Sequence, residues 1–367
     1  MKSKRVVLIG PVLPFRGGIA QHTTMLRRAL SKICTLKTIS FSRQYPQVIF
    51  PGESDIDPSF KEHLEDEVEY AIDSLNPYTW YKAVSSILKF KPEIVIIPWW
   101  TIFWFFCFFY IQRRLLKNNI NVYFLCHNVI EHETAFWKKF LTRLLLNKCD
   151  NFIVQTEVDK NNLNTFLPGK NILKHPHPIY SQFPAAKKTL AKRANLELLF
   201  YGFVRPYKGL EVLLSAMKLI KRTDSHLSIV GEFWDSKEET ADYIIKNNLE
   251  SVVEIIPRYV TDQETAEYFQ RADVVILPYK SATGTGVIPI AYHYNKPVIV
   301  TNVGGLPDVV SQNNTGWIIE SNSPQALANS IDSLSVNNLD KFKTNIIEYK
   351  KSLSWDHMAK EILTMNS

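Results

Sequence analysis

The chain has 367 residues, with 43 Lys and Arg against 36 Asp and Glu and a net charge of +7. That length exceeds one ordinary hydrophobic core, so two domains are expected, and 46% hydrophobic with 22% charged residues excludes a disordered chain. The basic balance points to an acidic partner: a phosphorylated small molecule, an anionic membrane surface or nucleic acid. Cys34, Cys107, Cys126 and Cys149 form no CxxC pair and show no His at metal spacing. They fit a reducing cytoplasm rather than a disulfide framework or a zinc site.

In chain order, "RVVLIG" (5–10) reads as a buried strand, followed by the loop "PVLPFRGGIAQ" and the helix "HTTMLRRALSKI". The N-terminus does not read as a signal peptide, because its apolar run is short and ends in Pro and Gly. "EIVIIP" (93–98) and "NVYFLCHN" (121–128) repeat the strand pattern, with helical segments between, and "CDNFIVQT" (149–156) adds another strand. The run after Pro98 carries about fourteen uncharged residues before Arg113, short of the ~20 a spanning helix needs, so a buried or interfacial helix is expected there. "HPHPIYSQFPAAKKTLAKRAN" (175–195) has a linker composition.

The pattern then restarts. "LELLFYG" (196–202), "SHLSIVG" (225–231), "VVEIIP", "DVVILPY" (273–279), "KPVIVT" and "GWIIE" read as strands. "GLEVLLSAMKLI", "KEETADYIIKNN" and "DQETAEYFQRA" read as the helices between them, and the C-terminal "SWDHMAKEILTM" as a last helix. β-Branched runs alternating with amphipathic helices indicate two α/β halves with parallel sheets covered on both faces.

Ligands of open parallel sheets bind at the carboxyl ends of strands, and the unusual loops all fall at such ends: "PFRGG", "PWWT", "HNVIEHE", "GFVRPYKG", "GEFWD" and "SATGTG". In "GFVRPYKG", Arg205 and Lys208 would neutralise a diphosphate as it leaves, although a solvated basic loop would carry the same residues. "SATGTGV" presents small residues before a helix, whose N–H groups suit an anion; an ordinary tight turn reads the same way. Gly17 and Gly18 precede a helix without the GxGxxG spacing of a dinucleotide fingerprint. His127 ends a strand in a polar loop with Glu131, His132 and Glu133, where it suits either a sugar hydroxyl or a structural hydrogen bond.

These motifs resemble a retaining glycosyltransferase of the GT-B fold, family four, nearly end to end. "PFRGGIAQHTTML" is similar to the family's glycine loop and "CHN" to its sugar-facing histidine. "GFVRPYKGLEVLLSA" resembles its Arg/Lys diphosphate motif, and "DVVILPY…GTGVIPIAYHYNKPVIVTNVGGLPDVVSQNNTGW" its donor-binding segment. The resemblance implies an α/β fold of two Rossmann-like, doubly wound domains facing across a cleft. Residues 1–182 would form the acceptor domain, joined by a C-terminal helix (353–367) that crosses back, and 183–352 the nucleotide-sugar domain. It also implies catalytic roles for His127, Arg205 and Lys208. Donor contacts would come from Gly17, Gly18, Arg258, Tyr259, Ser281, Thr283, Thr285, Gly286 and Val287. No cofactor and no metal is expected; the donor is a nucleotide diphosphate-sugar, and the leaving phosphate helps deprotonate the acceptor on the same face.

One departure stands out. The two glutamates usual in the family, one to the sugar and one to the ribose, fall here at Ala282 and Ile290, neither of which accepts a hydrogen bond. Ser281, Thr283 and Thr285 supply hydroxyls near the first; nothing replaces the second.

"FWFFCFFYIQRRLLK" (103–117) and "TAFWKKFLTRLLLNK" (134–148) combine aromatic and basic residues. In the second, Lys138, Lys139, Arg143 and Lys148 are expected around a helix whose other side carries Phe136, Phe140, Leu144 and Leu145. Such a helix suits an anionic leaflet, and equally an ordinary helix with a solvated face. The expected enzyme is cytoplasmic and peripheral on the inner face of the membrane, with a glycan or lipid-linked saccharide as acceptor in the assembly of bacterial-type cell-surface polysaccharide. Nucleic acid is not an expected partner, since the basic residues are dispersed. The rival readings are a nucleotide-sugar-binding partner subunit without catalysis, a GT-B epimerase and a phosphorylase. An epimerase needs cleft carboxylates that the loop lacks, and a phosphorylase a longer chain.

Overall fold

The computed structural model describes residues 4–46, 54–57, 60, 64–129, 136–311 and 314–365. The chain divides into two compact units, Met1–Pro176 with Trp355–Ser367 and His177–Ser354. The first runs β1 (Arg5–Ile9), α1 (Gly18–Leu30), β2 (Thr35–Arg43), β3 (Val68–Asp73), α2 (Pro77–Phe90), β4 (Ile94–Trp99) and α3 (Phe105–Leu116). It continues through β5 (Asn121–Cys126), α4 (Phe136–Leu146), β6 (Asn151–Val154), α5 (Glu157–Phe166) and β7 (Asn171–Lys174). The second runs β8 (Leu196–Tyr201), α6 (Leu210–Met217), β9 (Ser225–Val230), α7 (Lys237–Lys246), β10 (Val253–Ile256), α8 (Asp262–Arg271) and β11 (Val274–Leu277). Then follow α9 (Val287–His293), β12 (Val298–Thr301), α10 (Leu306–Ser311), β13 (Gly316–Ile319), α11 (Pro324–Asp332) and α12 (Val336–Tyr349). The last helix, α13 (Trp355–Thr364), belongs to the first unit.

The first unit holds a seven-stranded sheet in the order β3-β2-β1-β4-β5-β6-β7, the second a six-stranded sheet in the order β10-β9-β8-β11-β12-β13. Every pairing is parallel. This follows from the sequence: β1, β4, β8, β9, β11 and β12 are almost wholly buried, as strands covered by helices on both faces must be. Each sheet reverses its order beside its first strand, β1 against β4 and β8 against β11, which is where open α/β sheets collect ligands.

Boundaries differ from the sequence reading where local chemistry intervenes. Helix α1 begins at Gly18 rather than His22, because Gly17 at φ 99° turns the chain directly into it. Helix α6 stops at Met217, and strand β12 begins at Val298. The aromatic run after Pro98 becomes a short turn and the twelve-residue α3, which buries Phe105, Cys107, Phe108, Ile111 and Leu115 in the first core while Phe106 stays exposed. No helix among the described residues is long and apolar enough to cross a membrane.

Candidate functional site

In the second unit, Gly202 follows strand β8, and a turn over Pro206–Lys208 leads into α6. Gly209 closes that turn at φ +67°, and a Cβ there would meet the Pro278 carbonyl oxygen at 2.1 Å. Only glycine lets the loop after β8 lie against the loop after β11. The Lys208 side chain is thereby folded inward, 7% exposed, and its ammonium stands 3.1 Å from where a Cβ of Gly202 would be. Its Nζ lies 5.6 Å from the centre of the Tyr279 ring, while the exposed Arg205 guanidinium lies over Tyr207 at 5.3 Å and Trp234 at 5.0 Å.

No acid among the described residues pairs with either cation. The nearby Glu211 is taken by Lys280. Burial, with the Arg205 charge adding to it, pushes the Lys208 ammonium down to about 7. Two positive groups share one loop and neither is neutralised, an arrangement that costs stability unless an anion compensates it.

The small-residue loop lies between β11 and α9. Thr285 Oγ1 accepts the Val287 N–H at 3.2 Å and lies 3.4 Å from the Tyr279 hydroxyl. The Val287 amide, expected to face phosphate, is thus met within the loop, and the hydroxyl that meets it adjoins the ring beneath Lys208. Gly286 packs on Tyr180, whose ring a Cβ would touch at 3.6 Å. Gly304 at φ +53° brings the "NVGG" turn so close that a Cβ would meet the Ala282 carbonyl oxygen at 1.6 Å, and Gly305 N–H donates to the Thr283 carbonyl at 3.0 Å. Thr283 is buried, and Ser281 is half-buried. Ala282 and Ile290 are each 6% exposed, so the two usual glutamate positions are packed into the unit. Asp308, in the first turn of α10 beyond the "NVGG" turn, keeps one buried carboxylate oxygen without a hydrogen-bond partner.

Arg258 has a local partner. Its guanidinium forks onto Glu264, which completes a capping box with Thr261 at the start of α8 and is held down to about 2 by that contact. Tyr259 lies beside Phe203, ring centres 6.0 Å apart, and Phe203 in turn beside Trp234.

In the first unit, Gly17 and Gly18 open α1 at the carboxyl end of β1, and a Cβ on Gly18 would meet nothing within 4 Å. His127 follows β5, its N–H bonded to the Trp99 carbonyl at 2.8 Å. The two motifs are joined by His22 of α1, a residue the sequence did not single out. Its ring meets His127 edge-on at 4.6 Å and Trp355 of α13 at 4.8 Å, and its Nε2 lies 2.8 Å from the Gln155 amide. The glycine loop and His127 therefore share one end of the sheet. Beside them Trp100, Thr101, Asn128, Lys138 and Thr142 line a depression between the ends of β4 and β5 and helix α4. Glu131, His132 and Glu133 lie outside the described residues.

Helix α4 departs from the expected division into a basic and an apolar side. Thr142, Leu145 and Leu146 face the core. Phe136 (86% exposed), Trp137 (55%) and Phe140 (59%) lie outside together with Lys139, Arg143 and Leu144. Leu145 is therefore on the buried side, and the outer face mixes aromatic with basic residues.

Residues 182–353 match the family of glycosyl transferases group 1. This segment belongs to that family. The group 1 segment contains the Arg205–Lys208 turn, the loop before α9 and the "NVGG" turn, and coincides nearly with the second unit. An uncharacterized glycosyltransferase of Methanocaldococcus jannaschii is 33% identical over 164 residues, 43% of this chain and 44% of that protein. The chain thus spans less than half the length of the curated relatives it matches. Over the whole chain the fold is that of GT-B glycosyltransferase structures. Sucrose-phosphate synthase from Thermosynechococcus elongatus gives a TM-score of 0.75 at 17% identity, covering 99% of this chain and 98% of that one. Anabaena HepE in complex with UDP gives 0.74 at 14%, covering 98% of each. Within the second unit, Trp234, Tyr279, Tyr180 and Asp308 escaped the sequence reading. Each is an ordinary core or loop residue until the fold sets it beside Arg205, Lys208, Gly286 or the "NVGG" turn.

Proposed function

We propose that the protein is a retaining glycosyltransferase that moves a sugar from a nucleotide diphosphate-sugar to a glycan or lipid-linked acceptor in the assembly of cell-surface polysaccharide. The observation that carries this reading is the pair Arg205 and Lys208, two cations in one glycine-closed turn with no acid among the described residues to pair with. In the proposed reaction the bond from the anomeric carbon to the diphosphate oxygen breaks, and the electron pair leaves with the diphosphate. Arg205 and Lys208 stabilise the charge that grows there, in a partly desolvated position where each such contact is worth most. The acceptor hydroxyl forms the new bond on the same face, and its proton passes to the departing phosphate oxygen. The two side chains supply the charge that a divalent ion would otherwise bring, so transfer is proposed to run without a metal.

Thr285 and the backbone of Gly286 are assigned to the phosphates, with Ser281, Thr283 and Val287 beside them. His127 and Gly18 of the first unit are assigned to the transferred sugar and its phosphate. Arg258 and Tyr259 remain proposed donor contacts, with Arg258 acting from its pair with Glu264. That Anabaena HepE is a complex with UDP supports a nucleotide-sugar donor. The outer face of α4 supports a peripheral position on an anionic leaflet, where Phe136, Trp137 and Phe140 would enter the interface and Lys139 and Arg143 meet headgroups. A lipid-linked acceptor fits that position.

Purified protein incubated with a panel of nucleotide-sugars, without acceptor, tests the reading. One donor should raise the unfolding temperature and release nucleoside diphosphate slowly by transfer to water, at a rate unchanged by EDTA. Tight binding of a donor with no turnover, with or without a saccharide acceptor, would favour the partner-subunit reading instead.

A further inference from the structure

The fold brings together three ligand-bearing residues, one from the middle of the chain and two from its last helix. His175 follows β7 at the point where the chain leaves the first unit. His357 and Glu361 lie one helical turn apart on α13, just after the chain returns. One ligand atom from each lies within 4.8 Å of the others.

The arrangement is built around a buried imidazole. His175 is 2% exposed, and its Nδ1 lies 2.6 Å from the Pro176 carbonyl oxygen. A carbonyl only accepts, so Nδ1 donates to it, and Nε2 is turned to Glu361 Oε2 at 3.7 Å. His175 Nε2 and Glu361 Oε2 at that separation leave room for a positive centre between them. His357 Nε2 faces the other oxygen of the same carboxylate at 3.6 Å. Ligands bound tetrahedrally at about 2.0–2.1 Å stand roughly 3.3–3.4 Å apart, so the three ligand atoms, within 4.8 Å of one another, would close on an ion by side-chain adjustment. An imidazole whose Nδ1–H is fixed by a backbone carbonyl is also the usual second contact of a metal-ligating histidine.

We propose that His175, His357 and Glu361 form a site for a divalent first-row transition ion of the zinc class. Two imidazoles and a carboxylate suit zinc and leave a fourth position to water. The ion would clamp the start of α13 to the end of β7. It would add to the ring contact of Trp355 with His22 and the Lys32–Asp356 ion pair, which already hold that helix in the first unit. The site is structural and stands apart from the transfer chemistry, since none of its ligands is assigned to donor or acceptor.

The test uses full-length, untagged protein stripped with chelator and titrated with zinc chloride, with cobalt chloride as a spectroscopic probe. Wild type is expected to bind one ion, to show the visible absorption of tetrahedral cobalt, and to unfold at higher temperature with zinc. Glu361→Gln, at a half-buried position with its shape kept, and His357→Ala, at an exposed one, should fold normally, while weakening zinc at least about 10-fold and abolishing the cobalt band. His175→Ala should do the same, but because its ring is buried the two α13 variants carry the decision. Equal affinity in wild type and both α13 variants, or no saturable binding by wild type, would overturn the proposal.

Discussion

The two units share an architecture and differ in what they place at the carboxyl ends of their strands. The second sets two unneutralised cations, small residues and hydroxyls around the loops after β8 and β11. The first sets histidines, tryptophans and an aromatic–basic helix around the loops after β1, β4 and β5. A diphosphate is the same ligand whatever sugar it carries, so in the proposed reading a few charged and backbone groups at fixed spacing would suffice to hold it, and the group 1 segment lies within that unit. An acceptor varies in shape, and the first unit, which would meet it, offers aromatic and mixed polar groups instead.

The largest effect expected to sharpen this contrast is on turnover. Replacing Arg205 and Lys208 together by alanine should lower sugar transfer by about 10³-fold or more with the fold retained, since single charge-stabilising donors are commonly worth about 10²–10³. His127→Ala should cost less, about 10–10²-fold, because in this reading it contacts the sugar rather than the leaving charge. Comparable losses from both would erase the proposed division of labour.

Stability should divide the units in the same way. Gly304→Ala places a Cβ against the Ala282 carbonyl at a positive φ, and should destabilise the second unit by about 1–3 kcal/mol in urea unfolding while leaving hydrogen exchange in the first-unit sheet unchanged. Lys208→Met should act in the opposite direction. The folded state holds this lysine at about 7, below its usual value of 10.5, so the charged form is penalised fully below pH 7 and the penalty fades as pH rises towards 10.5. The variant should therefore unfold at higher temperature than wild type, by most below pH 7. A gain that grows with pH would contradict the assignment.

Much of the second unit was legible because its strands are short and mostly apolar, β8 to β11 each being followed by glycine or proline, and because Arg205, Lys208 and "GTG" occur in unbroken motifs. The first unit was read less completely. Strand β2 mixes Thr, Lys and Ser with its apolar residues, and β3 is an edge strand buried chiefly at Ile72, so neither shows a clean period. His22 reads as a polar residue on a helix. Only packing shows it buried between His127 and Trp355, which lie far along the chain. The division of α4 failed for a related reason. A helix with aromatic and leucine residues on most of its circumference has no single apolar side, and the core took Leu145 and Leu146 while leaving Phe136 and Phe140 outside.

That outer face yields the smallest effect. Phe140→Glu should reduce flotation with vesicles rich in phosphatidylserine by about 10-fold at low salt, without altering donor turnover in detergent-free assays on soluble acceptors. Unchanged, salt-insensitive flotation would remove the membrane from the account.

The account turns on a diphosphate held by Arg205 and Lys208, and calorimetric titration of UDP and GDP in buffers of different ionisation enthalpy tests it most directly. One of the two should bind wild type near pH 7.5 with uptake of a proton, as the anion restores the charge of a lysine poised at about 7. The double alanine variant should bind at least about 100-fold more weakly and take up none, each lost charged contact being worth about 1.5–3 kcal/mol. Equal affinity and equal proton uptake in the two proteins would contradict it.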